Sequence, residues 1–246
     1  FMPYIDGNEE KRYEFMNLLW SNGGEFLDLT GDDTIGTAPF GTPEALFNTP
    51  AGVDVLQLFD DLNDKKHPGL GSYNPDTLPD IYGLGWAEES IAMVVIPGWF
   101  TYVRAAMGAN FNHLGIAPVP IGPQIGATSA CVVYNWMLAV TQKSKNDGRA
   151  DDAWTFLKWL NKPRNAGYIG GTIPRGGPCS IVGDWLIYDS ILPSRLDDQA
   201  NGKTIDGKLL KDDFWFKGFI DQANLYGRPD KAFAKSEEVQ DIVGVM

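Results

Sequence analysis

An α/β fold is what this sequence predicts, on three observations. Short apolar runs of strand type, Ile91-Ala92-Met93-Val94-Val95-Ile96 and Cys131 to Val140, alternate with segments whose apolar residues recur at helical spacing. Proline and glycine fall between these segments, where the chain has to turn. The 246 residues are enough for one large domain or two small lobes, each with its own core.

The first helix is predicted from Tyr13-Glu14-Phe15-Met16-Asn17-Leu18-Leu19-Trp20, and Asn22-Gly23-Gly24 supplies a left-handed stop. Residues 28–48, rich in Gly, Thr, Asp and Pro, read as a loop. Thr49-Pro50 opens a second helix in the N-cap and N1 pattern, with Val53, Leu56, Phe59 and Leu62 on its apolar face. A proline-containing loop leads to the apolar run 91–96, which reads as a buried strand. Pro97-Gly98 then turns into a helix-like segment, Trp99 to Met107. Leu114 to Ala117 reads as a strand running into Pro118-Val119-Pro120, and Cys131 to Val140 is the most β-like stretch. Ser144-Lys145-Asn146-Asp147 leads into a helix carrying Ala150, Ala153, Trp154, Leu157 and Leu160. Beyond Gly176 the pattern is helical, over Asp184 to Leu192 and Asp213 to Tyr226.

Charge and residue usage exclude several functions. Twenty Lys and Arg stand against 32 Asp and Glu, a net charge of −12 that repels phosphate backbones, and no basic stripe offsets it. Nucleic acid is therefore excluded as a partner. No apolar run approaches the roughly 18–20 residues needed to cross a bilayer. With two His and two Cys in the chain, and no Cys-x-x-Cys pair, a zinc site built from several of them cannot be assembled. His67 lies in a Lys-Lys-His-Pro-Gly turn and His113 precedes the strand at Leu114, so both read as structural, and a Ser-His-Asp hydrolase is not favoured. No metal, cofactor or catalytic residue is expected.

Four features could carry chemistry. Glu88 and Glu89 precede the run at 91–96, but adjacent strand residues point to opposite faces and cannot pair across a sugar. Gly170 to Gly177 holds glycines and Arg175 without the Lys-Ser/Thr ending of a phosphate loop, so it reads as a tight turn displaying Arg175. Trp86, Trp99 and Trp136 sit at strand ends or turns, where flat apolar rings can stack on sugar C–H faces. Trp20, Trp154 and Trp159 lie within helical patterns and are expected in the core. Cys131 and Cys179 leave two alternatives open, one disulfide or two buried thiols. The chain opens on Phe-Met-Pro-Tyr and stops just after Ser236-Glu237-Glu238 begins a helical pattern, so both ends are read as cuts through a longer protein.

Six blocks, in order, resemble the family 1 extracellular solute-binding proteins of ABC importers. Leu18 to Asp28 resembles their helix and double-glycine turn, and Val55 to Leu62 their next helix. Ile91 to Trp99 resembles their strand ending in Gly-x-Trp, and Ile116 to Gly122 their Pro-x-Pro-x-Gly strand exit. Lys143 to Asn146 with Ala153 to Leu160 resembles their most recognisable block, and Gly171 to Arg175 the turn that follows it. The resemblance covers roughly residues 13–177.

The resemblance implies a two-lobe, periplasmic-binding-protein-like type II fold of the maltose- and trehalose-binding kind. The chain would be incomplete and mostly the C-terminal lobe. Residues 1–137 would be its first part, 138–177 a segment returning to the N-terminal lobe, and 178–246 its helical remainder. It implies a monomeric lipoprotein, periplasmic or anchored at the cell surface, that binds a carbohydrate, a disaccharide or oligosaccharide, and delivers it to an ABC permease. Trp99 matches the aromatic platform after the strand, Tyr134-Asn135-Trp136 the crossing position, and Arg175 a position that reaches ligand hydroxyls. Glu25 lies at the cleft rim beside Gly23 and Gly24, with Trp86 a further candidate. The alternatives are a carbohydrate-active enzyme using Glu88 or Glu89, and a same-fold receptor for a polyamine or a glycerol phosphate.

Overall fold

Helix α1 (Asn8–Ser21) organises one of two hydrophobic cores. It ends where the double glycine predicts: Gly23 adopts φ +78°, its N–H donates to the Trp20 carbonyl, and the Gly24 N–H donates to the Leu19 carbonyl. This paired closure satisfies the last carbonyls of the helix and reverses the chain. The computed structural model of the protein describes residues 8–28, 44–64, 93, 107–133, 138–162, 179–204 and 206–229.

After the turn, β1 (Leu27–Asp28) pairs antiparallel with β2 (Glu44–Ala45), so both ends of the expected 28–48 loop are held by a short ladder. Helix α2 (Pro50–Asp64) starts at the predicted proline. Its buried face differs from the expected one: Ala51 and Val55 are buried and Phe59 packs on the core, whereas Val53 and Leu56 are exposed. Steps of four residues hold one face of a helix in line better than steps of three, which drift around it. Phe15, Leu19, Phe26, Ala51, Val55 and Ala130 make the centre of this first core.

Residues 108–113 form a 3-10 turn, and Leu114 to Gly122 is irregular, with no ladder partner among the described residues, where a strand was expected over Leu114 to Ala117. Pro118 and Pro120 have no N–H to give a ladder, and Ile116 packs at Gly218 on the helix Phe214–Tyr226. Strand β3 (Cys131–Val133) is shorter than the stretch 131–140, since residues 138–141 are irregular. It pairs in parallel with β4 (Gly227–Pro229), with Val132 opposite Arg228. Residue 93 is exposed and outside any strand, contrary to a buried run there; the rest of 91–96, the segment Trp99 to Ala106 and the turn 170–177 lie outside the described residues.

Helices α3 (Gln142–Asn146) and α4 (Ala150–Leu160) follow. Trp154 and Trp159, expected in the core, are 55% and 52% exposed. The half-buried stripe of α4 is made by Ala153, Leu157 and Leu160, and both tryptophans project outside it. Helices α5 (Ile181–Tyr188) and α7 (Phe214–Tyr226) build the second core, around Phe111, Cys179, Ile187, Leu210, Trp215 and Phe216, and α6 (Leu196–Asn201) falls between them in the chain. Asp213 caps α7 by accepting from the N–H groups of Trp215 and Phe216. Strand β3 contacts both α1 and α7, so the β3–β4 pair joins the two cores. Both cysteines are free: Cys179 is buried in the second core, and the half-buried Cys131 thiol lies 3.5 Å from the Gln222 carbonyl with its pKa raised by burial.

Candidate ligand-binding site

Of the residues singled out for binding, the structure describes Glu25; Trp86, Trp99, Tyr134, Asn135, Trp136 and Arg175 lie outside the described residues. The closure of α1 sends the chain back so that the Glu25 carboxylate returns over the last helical turn. Its Oε1 accepts from the Trp20 indole Nε1 at 2.9 Å and from the Phe26 N–H at 3.0 Å. Its other oxygen, Oε2, accepts from Arg228 Nη2 at 2.5 Å.

Arg228 is delivered by β4. The parallel register sets it opposite Val132, and Val132 is fixed to α1 because its N–H donates to Asn17 Oδ1 at 2.6 Å. One turn further along α1, Ser21 Oγ donates to the Ala130 carbonyl and accepts from the Ala130 N–H. With helix and strand locked together, the Arg228 guanidinium lies over the Trp20 ring, 4.4 Å from Cζ to the centroid. An arginine seated on an indole and paired to a carboxylate is fixed in orientation on two sides.

The electrostatics follow from these contacts. Partial burial acts to raise the Glu25 pKa, but hydrogen bonds from Arg228, the Phe26 N–H and the Trp20 indole, together with the Arg228 charge, outweigh it. Glu25 is therefore held below its ordinary value of 4.5 and is ionised at neutral pH. The pair is neutral as a unit and remains open to solvent, with 39% and 37% of the two side chains exposed. A guanidinium carries more N–H donors than the one spent on Glu25, so Arg228 can still donate to a ligand. A carboxylate saturated by three donors and kept ionised is unsuited to act as a general acid. Among the described residues no cluster of His, Cys, Asp and Glu could hold a metal ion, and no helix is long and apolar enough to cross a membrane.

Sequence reasoning reached Glu25 through the double glycine and placed Trp20 in the core, where it is buried. It missed Arg228. Gly227-Arg228-Pro229 carries no motif, and the ion pair spans 203 positions that only the fold brings together. No curated protein and no solved structure matches the chain. The family model for bacterial extracellular solute-binding proteins matches residues 2–167, more than half of the 246. With that match covering more than half of its length, the chain belongs to the bacterial extracellular solute-binding proteins.

Proposed function

We propose that the solute is a carbohydrate, a disaccharide or oligosaccharide, captured between two closing lobes of a type II fold and delivered to an ABC permease. The observation that carries this reading is the Arg228–Trp20–Glu25 cluster. Its unspent guanidinium donors suit the lone pairs of ligand hydroxyls. Because Glu25 neutralises Arg228 locally, a neutral polyol is favoured over an anion such as a glycerol phosphate. A polyamine would meet the cation first.

The remaining candidates complete the reading as proposals. Trp99, Trp136 and Trp86 offer faces for stacking on sugar rings, while Tyr134, Asn135 and Arg175 offer hydrogen bonds. Residues 138–177 would carry the chain back to the second lobe, and hinge closure would sandwich the sugar. Each buried hydroxyl left without a partner costs about 1–3 kcal/mol, which is how such a site discriminates between sugars.

Intrinsic tryptophan fluorescence, titrated with a panel of mono- and oligosaccharides while product formation is assayed, tests this function. A saturable change with at least one sugar and no turnover is expected. Arg228→Met should weaken that binding by about tenfold or more, the loss of one charge-assisted hydrogen bond. Response to no sugar, or turnover of one, contradicts the reading.

A further inference from the structure

Three of the polar residues on α1 share one face. Ser21 meets Ala130 and Asn17 meets Val132, each through hydrogen bonds to the strand backbone. Glu14 is next on that face, about one turn further toward the helix N-terminus and within about 20° of Ser21 around the axis. The strand runs opposite to the helix, since Ser21 meets residue 130 and Asn17 residue 132. Glu14 therefore stands near the carboxyl end of β3, where its parallel partner β4 also ends at Pro229.

The ladder of satisfied polar groups breaks at Glu14. Its side chain is 3% exposed, and among the described residues neither Oε1 nor Oε2 has a hydrogen-bond partner. The strand beside it contributes Cys131, Val132 and Val133, none of them charged, and Arg228 of β4 is paired with Glu25. Arg12 of the same helix lies over the Tyr13 ring. A buried carboxyl with neither oxygen satisfied costs folding free energy, and apolar or amide residues of similar size would avoid that cost. A group that destabilises the fold at the carboxyl ends of parallel strands, where ligands of open α/β sheets bind, has the marks of a functional one.

We propose that Glu14 is a ligand-binding carboxyl, which exchanges hydrogen bonds with a hydroxyl group of a neutral polyol. The inference rests on the carbohydrate reading and adds to it a second contact point, separate from Arg228. A protonated carboxyl both donates and accepts, which matches a hydroxyl, and burial favours that uncharged form.

The test pairs binding with stability in Glu14→Leu and Glu14→Gln, using the sugar that gives the tightest fluorescence titration with the unaltered protein. Glu14→Leu should raise the melting temperature and weaken sugar binding about tenfold or more. Glu14→Gln should keep part of the affinity, because the amide still donates and accepts. A structural role predicts the opposite: a lower melting temperature in Glu14→Leu with affinity unchanged once folded, and that result overturns the proposal. Unchanged affinity in a stabilised Glu14→Leu overturns it as well. If the unaltered protein binds no sugar, the carbohydrate reading fails first, before either variant is compared.

Discussion

Glu25 and Glu14 belong to the same helix and turn, and their carboxyls respond to pH in opposite senses. The folded-state pKa of Glu25 lies below its ordinary 4.5, so its contribution is present above that pH and is lost as pH falls through the folded value. Burial without partners raises the pKa of Glu14 well above 4.5. Its folded form then holds a proton that the unfolded chain has released, and stability falls as pH rises above 4.5. Urea denaturation across pH should separate the two: Glu25→Gln flattens the loss of stability below pH 4.5, and Glu14→Gln removes a loss above it. Coincident profiles for Glu14→Gln and the unaltered protein would contradict the burial argument. Of this pair, Glu25 was legible in the sequence because two glycines mark the turn that exposes it. Glu14 reads as an ordinary helix residue, and its burial without a partner comes from tertiary packing that local periodicity does not name.

At the scale of elements, helices α5 and α6 are tied by one carboxylate. Asp198, 1% exposed, accepts from the Ser180 N–H at 2.8 Å and from Ser180 Oγ at 2.6 Å, while Ser180 caps α5 by accepting from the Gly183 N–H. Asp198→Ala should lower stability by about 2–3 kcal/mol, since it orphans two buried donors. Ser180→Ala should lose about 1 kcal/mol less, because the Asp198 carboxylate keeps the Ser180 N–H. Chemical denaturation of both variants checks the order. None of this was legible in sequence, where Ser180 and Asp198 are two unremarkable polar residues. The elements themselves were more legible. Local signals fixed the C-terminal end of α1, the start of α2 and the span of α7, because caps, prolines and left-handed glycines act within a few residues, whereas α1 starts at Asn8, before the Tyr13 read from the pattern. Burial faces were less so: the inward stripe of α2 and the outward tryptophans of α4 depend on neighbours that periodicity cannot name. Residues 114–117, read as a strand from their apolar pattern, are irregular, because a strand needs a ladder partner that local sequence does not name.

For the whole molecule, two cores meet through a short parallel pair, and the polar cluster stands at that junction. Membership of the bacterial extracellular solute-binding proteins sets the molecule outside the cytoplasm, periplasmic or attached at the cell surface. Proteins of this family bind solutes for ABC importers and are generally non-catalytic. Mixed helix and strand content agrees with the α/β class expected from the sequence. Because Glu25 neutralises Arg228 on a chain of net charge −12, a ligand held there would be recognised by orientation and hydrogen bonds more than by long-range attraction. The most direct test of a sugar site at this junction is nuclear magnetic resonance of the eight tryptophan indole N–H groups, with the Trp20 signal assigned by Trp20→Phe. The Trp20 Nε1 proton is bonded to the carboxylate that holds Arg228, so sugar engaging Arg228 should shift that signal saturably. A sugar that binds and leaves the Trp20 signal in place would contradict the site.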